Sequence, residues 1–266
     1  MDKIKINMVG GGFQHDICSS SGNVPRYVEW IKGNHNANIS IHIDNAIMQP
    51  TNKTKKNYAW ILESSDIIPN IIQWVHNNIF YLENNFELIF THDKRLLPLS
   101  DKFRLIITNA VPWVIDRKIH KKTKLVSMIA STKLYCEGHR YRQIIVEKYK
   151  DSLDCFGTGR NRIATKEEGL NDYYFSFAIH NANYPNFFTE IITDCFATGT
   201  IPIYWGTSAI NEFYNENGII VLTDNFKLED MTTDLYYSKK EAVEENFERV
   251  NNLPTAEDYI YENYMK

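Results

Sequence analysis

Residues 173–208, YYFSFAIHNANYPNFFTEIITDCFATGTIPIYWGTS, decide the fold class of this chain. They predict a strand, a polar loop, a helix and a second strand, at Phe175–Ile179, His180–Asn186, Phe187–Thr198 and Ile201–Trp205. Asn186 is the predicted N-cap of the helix. A strand–helix–strand unit of this kind is typical of an α/β fold with a parallel sheet.

Glu190 falls in the first turn of this largely apolar helix. Two interpretations are open. The carboxylate can complement the helix dipole, which contributes about 0.3–1 kcal/mol. Alternatively, it can accept hydrogen bonds from the two hydroxyls of a ribose, while the amides at the predicted helix start near Phe187 seat a diphosphate. The two loops that follow the predicted strands, at His180–Asn186 and Gly206–Ser208, lie at carboxyl ends, where α/β sheets bind ligands.

Composition narrows the classes of protein. The chain has 266 residues, 43% of them hydrophobic and 23% charged, which is typical of a soluble globular protein. A net charge of −4 argues against a nucleic-acid partner. Four separated cysteines form no CxxC pair, so we expect reduced thiols. We find no signal peptide or transmembrane segment in the sequence and expect a cytoplasmic protein.

Short apolar runs alternate with helical patterns along the whole chain, which predicts two Rossmann-like α/β domains facing each other across a cleft. The basic stretch Arg117–Lys124 is predicted to be a linker, with a binding patch as the alternative. We therefore expect an N-terminal acceptor-binding domain at 1–120 and a C-terminal donor-binding domain at 121–266. In the first domain the predicted strands are Ile4–Val9, Ile39–Ile43, Tyr58–Leu62, Phe86–Phe90 and Arg104–Thr108, and the predicted helices are Pro25–Ile31 and Ile67–Asn78.

The second half shows the same alternation. Its further predicted strands are Leu125–Ala130, Leu153–Phe156 and Ile219–Thr223, and its further predicted helices are Glu137–Lys150, Lys239–Leu253 and Thr255–Tyr264.

Basic side chains follow two predicted strands of the second half. Arg140 and Arg142 open a helix after a strand that ends beside Ser131, and Arg160 follows the glycine-rich turn FGTGR. Arginine suits bidentate contact with phosphate, although a surface salt bridge explains any one of these residues. Lys166 is a weaker candidate of the same kind.

In the first half, the predicted strand in YAWILESS runs into Glu63, which is placed to act as a general base. The serines and Asp66 that follow are explained as helix caps, but a cap does not need Glu63. His92 follows the next strand and His15 follows the turn GGGF, so both are candidates for an acceptor cleft. For His92, a helix start is the alternative. We find no HExxH, GxSxG, GxGxxG or DxD motif and no metal-ligand cluster, so we expect no metal site.

The second half resembles the donor-binding domain of family 10 glycosyltransferases, the α-1,3/1,4-fucosyltransferases. That family has an E-N-containing loop, a segment of the type Y-V-T-E-K, an apolar helix and T-x-P-[IV]-x-x-G. The run HNANYPNFFTEIITDCFATGTIPIYWG matches it without gaps. A weaker likeness extends through VSMIAS, GHRYR and LDCFGTGR, and in the first half through WILESS and FELIFTHDKRLL.

The resemblance implies a GT-B fold, an inverting mechanism, a nucleotide-diphosphate sugar donor such as GDP-fucose and no obligate metal. It implies that Glu190 holds the ribose or sugar, that Asn181 contacts the donor near the scissile bond and that Glu63 deprotonates a glycan acceptor. Arg160, Arg142, Lys166 and Ser131 complete the expected donor site.

The chain departs from the family pattern at His180, Phe187 and Ile191, which stand for Glu, Tyr and Lys respectively. The sequence therefore predicts a fucosyltransferase-like enzyme of glycan biosynthesis and leaves two alternatives open. One is the same enzyme class with UDP-xylose or another GDP-sugar as donor. The other is a non-catalytic module that binds carbohydrate or nucleotide.

Overall fold

The computed structural model describes residues 2–11, 13, 17–33, 37–107 and 111–266. The chain forms two compact units. The first unit comprises Met1–Asn109, Pro185–Phe187 and Pro254–Lys266, and the second comprises Ala110–Tyr184 and Phe188–Leu253. Each unit is built on a parallel sheet, so the predicted pair of α/β domains is confirmed.

The described residues of the first unit contain six strands: β1 (Ile4–Val9), β2 (Val28–Lys32), β3 (Ile39–Ile43), β4 (Lys56–Ile61), β5 (Ile89–Thr91) and β6 (Phe103–Leu105). They form one sheet in the order β2-β1-β3-β4-β5-β6, and all its pairs are parallel. Helices α1 (Asn70–Asn77) and α2 (Ile79–Asn85) follow β4. Buried apolar side chains pack on the sheet, among them Ile41, Trp60 and Phe90.

The predicted helix at Pro25–Ile31 is wrong, because this segment contributes strand β2. Val28 and Trp30 are buried and Glu29 between them is exposed, which is the period of a strand. The other predicted strands of this unit exist, with β1 and β3 at the predicted bounds and the rest shifted or shortened.

The chain end also departs from the expected division at 121–266. Helix α7 (Ala256–Ile260) belongs to the first unit, and its Ala256 and Ile260 lie in that unit's core. The buried Glu257 carboxylate accepts hydrogen bonds from Ser19 N at 2.5 Å and Trp30 Nε1 at 3.1 Å. These contacts join residues more than 220 positions apart along the chain, so local sequence gives no sign of them.

The second unit has strands β7 (Lys124–Ile129), β8 (Asp154–Phe156), β9 (Tyr173–Ile179), β10 (Ile201–Trp205) and β11 (Ile220–Val221). Its helices are α3 (Glu137–Lys148), α4 (Glu190–Thr198), α5 (Thr233–Ser238) and α6 (Lys240–Asn251). Short 3-10 segments lie at Asp44–Met48 and Lys94–Leu99 in the first unit and at Lys166–Gly169, Ser208–Glu212, Glu216–Gly218 and Leu228–Asp230 in the second, and a π-helical turn at Tyr261–Met265 follows α7.

The sheet of the second unit has the order β11-β10-β9-β7-β8, and every pair is parallel. The chain leaves β7 towards β8 on one side and leaves β9 towards β10 on the other. The order therefore reverses between β7 and β9, and open α/β sheets bind ligands at the carboxyl ends of such a pair.

Helix α4 begins later than predicted. Its N-cap is Thr189, whereas Asn186 takes a left-handed φ of 66° and is not the cap. The left-handed conformation turns the chain before the helix instead of starting it. Glu190 is thus the first residue of the helix, and Phe187 lies before it. The helix ends at Gly199, whose φ of 70° is typical of a helix C-terminus.

Candidate active site

The start of α3 lies against the loop that leaves β9. Gly138 N donates a hydrogen bond to Asn181 O at 3.1 Å. A Cβ atom at position 138 would lie 1.7 Å from His180 O, so only glycine fits between the helix and this loop. Helix α3 and the β9 loop are therefore fixed to each other at the point where the strand order reverses.

Arg142 fixes the same loop from one turn further along α3. Its Nε and Nη2 donate to Ile179 O at 2.8 and 2.5 Å, and Nη2 also donates to Asn181 Oδ1 at 3.0 Å. The guanidinium is buried. Its main role is therefore to support this loop, and direct contact with a ligand is secondary. The Asn181 amide is thereby oriented, and its Nδ2 has no acceptor within the described part of the chain.

Gln143 joins two further predicted donor residues. Its Nε2 donates to Ser131 O at 3.0 Å, and its Oε1 accepts a hydrogen bond from Arg160 Nη2. The buried Nε of Arg160 has no acceptor among residues that the structure describes. A buried donor without an acceptor costs about 1–3 kcal/mol, so an anion beside Arg160 would stabilise this arrangement.

Positive charge is concentrated at the start of α3. Burial, followed by the charges of Arg142, Lys133 and Arg140, lowers the pKa of His139 to about 4. Arg140 and Lys133 are exposed. Glu137 opens the helix and Gly138 N is already bonded to Asn181 O. The exposed cations, with the remaining amide groups of the helix N-terminus, suit an anion such as a diphosphate.

A second cluster stands at the start of α4. Lys166 Nζ lies 2.9 Å from Glu190 Oε1 and 2.5 Å from Asp194 Oδ2, and 4.4 Å from the centre of the Trp113 ring. Burial works against the ammonium charge, but Asp194 and Glu190 outweigh it and raise the pKa of Lys166 above its ordinary value. The side chain predicted to hold phosphate is therefore already neutralised by two acids.

The two clusters are close enough to influence each other. Burial lowers the pKa of Arg142, and the charges of Cys136 and Glu190 oppose that change. Beside Glu190 opens a cavity of about 160 Å³, whose wall includes Ile129, Phe177 and Ile191. The carboxylate therefore stands between a cationic helix start and a small, mostly apolar cavity.

His180 replaces the acid of the family pattern, and its surroundings keep it neutral. Its ring is fully buried, and burial and the charge of Arg142 lower its pKa to about 3. Nδ1 accepts a hydrogen bond from Thr189 N at 3.3 Å, at the N-cap of α4. His180 thus supports the start of the helix that carries Glu190.

In the first unit, Glu63 follows β4 at its carboxyl end, as predicted, and is partly exposed. Asp44, at the end of β3, accepts hydrogen bonds from Leu62 N at 2.8 Å and Glu63 N at 3.0 Å. Glu63 Oε1 accepts from Ser64 N at 2.7 Å. These contacts fix the loop after β4, and the Glu63 side chain lies at the carboxyl end of that strand.

His92 lies after β5 but is 2% exposed, and burial lowers its pKa to about 4. Its ring packs on Phe187 with centroids 5.1 Å apart. It is therefore a neutral, buried residue beneath the strand ends. His15 lies outside the described residues.

The second unit matches a model of a known protein family. Residues 119–248 match the family model described as the C-terminal domain of glycosyltransferase family 10 (fucosyltransferase). The second unit of this chain is therefore similar to that fucosyltransferase domain. The matched range includes Glu190 and the start of α3, so the family 10 resemblance and the site geometry concern the same residues.

One curated relative of the family 10 domain is the α-(1,3)-fucosyltransferase FucT of Helicobacter pylori, 29% identical over 105 residues. The match spans 38% of this chain and 22% of that protein. Two solved structures also match: an α1,3-fucosyltransferase (TM-score 0.53, 15% identity, 92% of this chain and 81% of that one) and an α1,3-fucosyltransferase with GDP-fucose (0.51, 13%, 95% and 82%). At these identities the likeness concerns the fold, which is of the GT-B type.

Several residues that contact or support the predicted side chains of each unit were not predicted from sequence. Asp194 stands four residues after Glu190, and that helical spacing was a usable signal. Gln143 and Asp44 form hydrogen bonds with residues 12 to 19 positions away in the sequence. Gly138 matters because it has no side chain, which allows the close approach of the β9 loop. In the described part of the chain, no helix is both long and apolar enough to cross a membrane.

Proposed function

We propose that this protein is an inverting glycosyltransferase that moves fucose from GDP-fucose to a hydroxyl of a glycan. The observation that carries the proposal is the pairing of Glu190 with a cationic helix start at the reversal point of a family 10 domain. A carboxylate suits sugar hydroxyls, and cations suit a diphosphate. The relatives named for α-(1,3)-fucosyl transfer and for GDP-fucose support the choice of donor.

In this proposal the donor lies along the carboxyl ends of β7 and β9. Glu190 accepts hydrogen bonds from hydroxyls of the ribose or the sugar, and Asn181 Nδ2 donates to an oxygen near the scissile bond. Arg160, Arg140 and Lys133 face the diphosphate, together with the α3 amides. This assignment replaces the expected seat near Phe187, because α4 begins at Glu190, whose partner is Lys166.

The proposed reaction is a single displacement. The acceptor oxygen forms a bond to the anomeric carbon while the bond from that carbon to the diphosphate oxygen breaks. Glu63 takes the proton of the acceptor hydroxyl, and GDP leaves with the bonding electron pair. Cations and amides oriented before the reaction stabilise the charge that develops on the diphosphate.

We further propose, from the resemblance to family 10, that the reaction needs no obligate metal and that the partners are a nucleotide-sugar and a glycan. His92 in the first unit and His180 in the second are buried, and their lowered pKa values keep both rings neutral at pH 7. Their low pKa values make these rings weaker bases than an ordinary imidazole, so we assign the role of general base to Glu63.

Calorimetric titration with GDP, UDP and GDP-fucose tests the donor. We expect binding of GDP and GDP-fucose, with Glu190→Gln weakening it at least tenfold because a charged acceptor is lost. Glu147→Gln, an exposed acid on α3, is the matched control and is expected to bind normally. Preference for UDP would indicate another donor, and the absence of any nucleotide binding would refute the transferase assignment.

Measurement of the turnover rate tests the assignment of Glu63 as the general base. We expect Glu63→Gln to keep GDP affinity and to lower kcat by about 10²–10⁴-fold, the usual contribution of a general base. The exposed Glu87→Gln is the control in the same unit. Normal transfer by Glu63→Gln would show that another group takes the proton. Binding of GDP-fucose with no transfer to any acceptor would favour the non-catalytic module.

A further inference from the structure

The buried carboxylate of Asp194 is not explained by the role of Glu190 alone. It lies one turn after Glu190 on α4 and is 1% exposed. Its Oδ1 accepts hydrogen bonds from Trp113 N at 2.6 Å and Val114 N at 3.1 Å. Its Oδ2 accepts from Lys166 Nζ at 2.5 Å. The side chain thus ties the first turns of α4 to two segments that are distant in sequence.

The backbone around Lys166 is fixed, in addition to its ammonium group. It opens the 3-10 turn Lys166–Gly169, in which Thr165 and Glu168 form a reciprocal capping box. The neighbouring Glu167 accepts a hydrogen bond from Ile115 N at 2.6 Å. The turn that contains Lys166 and the side chain of Asp194 therefore both bind the same loop, at residues 113–115.

The charges determine what this arrangement can do. Two carboxylates four residues apart on one helix face repel each other, and an unpaired acid in a largely buried position favours its neutral form. Lys166 opposes both effects through a single ammonium shared between Glu190 and Asp194, although burial still holds the pKa of Asp194 above its ordinary value. Only Oε1 of Glu190 is used, and in the described part of the chain no partner takes its Oε2.

We propose that Asp194 is a positioning residue for donor binding, which holds Lys166 so that Lys166 fixes Oε1 of Glu190 and leaves Oε2 for the donor hydroxyls. Asp194 does not touch the donor in this role; it acts through Lys166. The inference rests on the proposed function, since it gives Glu190 a ligand.

A double-mutant cycle on the full chain tests the proposal, with GDP affinity measured by calorimetry for Asp194→Asn, Lys166→Met and the double variant. We expect each single change to weaken GDP binding about tenfold and the double variant to bind no more weakly than Lys166→Met alone, because residues that act as one unit are not additive. Lys166→Arg keeps the cation and is expected to retain most of the affinity. Thr198→Val, a buried polar residue of the same helix, controls for loss of stability and is expected to bind GDP normally.

Kinetics add a second readout. At saturating GDP-fucose, Asp194→Asn is expected to keep the wild-type kcat while its KM for GDP-fucose rises about tenfold. A double variant about a hundredfold weaker than wild type, or unchanged binding in either single variant, would overturn the proposal. If Asp194→Asn does not fold, loss of binding in Lys166→Met together with retention in Lys166→Arg decides for it, and equal loss in both decides against it. Wild-type protein that binds no nucleotide would instead refute the proposed function, and with it the role of Asp194.

Discussion

Replacement of Gly138 by alanine tests the closest contact of the site. In an ordinary helix this change adds about 1 kcal/mol of stability, because alanine has the higher helix propensity. Here the new methyl group would lie 1.7 Å from His180 O and 2.9 Å from Asn181 C, where ordinary contact begins at 3.4 Å. The β9 loop would have to withdraw by about 1.7 Å, since both neighbours are backbone atoms rather than flexible side chains.

Two effects oppose the stability gained from the higher helix propensity of alanine. Overpacking of this kind costs about 1–3 kcal/mol. Withdrawal of the loop also breaks the hydrogen bond from Gly138 N to Asn181 O, which costs about 1 kcal/mol. We therefore expect Gly138→Ala to lower the free energy of unfolding by about 2 kcal/mol. Displacement of Asn181 by more than 1 Å is expected to reduce transfer about 10²-fold, the usual effect of misplacing a substrate-positioning group.

Urea denaturation and GDP-fucose turnover measure the two effects. Gly11→Ala is the control, since a Cβ atom there meets no neighbour within 4 Å. A Gly138→Ala protein that is more stable than wild type and transfers fucose at the wild-type rate would show that α3 and the β9 loop do not approach each other this closely.

Three further outcomes are expected. Arg142→Lys is expected to lower stability by about 2 kcal/mol and to weaken GDP binding, since a lysine lacks the planar fork that places two nitrogens on Ile179 O and Asn181 Oδ1. Unchanged urea denaturation would contradict this. The pKa values of His92 and His180, about 4 and about 3, lie below that of an unfolded histidine, so the unfolded chain binds more protons below pH 6.5. Stability should therefore fall between pH 6.5 and pH 5 by about 2 kcal/mol for each ring, and His92→Gln should reduce that slope in urea titrations at the two pH values. Transfer activity measured in excess EDTA is expected to equal that without it, and a loss restored by Mg²⁺ would contradict the metal-free proposal.

Local sequence was sufficient for the elements that repeat a clear period. The strands β9 and β10 and the helix between them follow from apolar runs separated by a polar loop and by Gly199. The helix predicted at Pro25–Ile31 fails because a short apolar segment fits both periods, and only its partner strand β1 selects the extended form.

The site was predictable to a smaller extent. Glu190 could be placed in the first turn of a helix, but its partner Lys166 comes from 24 residues upstream and the predicted N-cap Asn186 is displaced by Thr189. The hydrogen bond from Thr189 N to the buried ring of His180 supports the later start. Contacts between residues this far apart in the sequence leave no periodic pattern, so the partners are identified only from the fold.

The distribution of charge has a consequence for donor choice. Lys166 lies between two acids and contributes no net positive charge, so it cannot replace the family lysine that Ile191 removes. In the proposed complex, the charge of the diphosphate is met by Arg140 at the start of α3 and by Arg160 after β8. In the same proposed complex, these cations and Glu190 contact the diphosphate and the ribose hydroxyls, which GDP-sugars and UDP-sugars share. Discrimination between bases must therefore come from other contacts, which is why comparison of GDP with UDP, and not the loss of binding in any single variant, decides the donor.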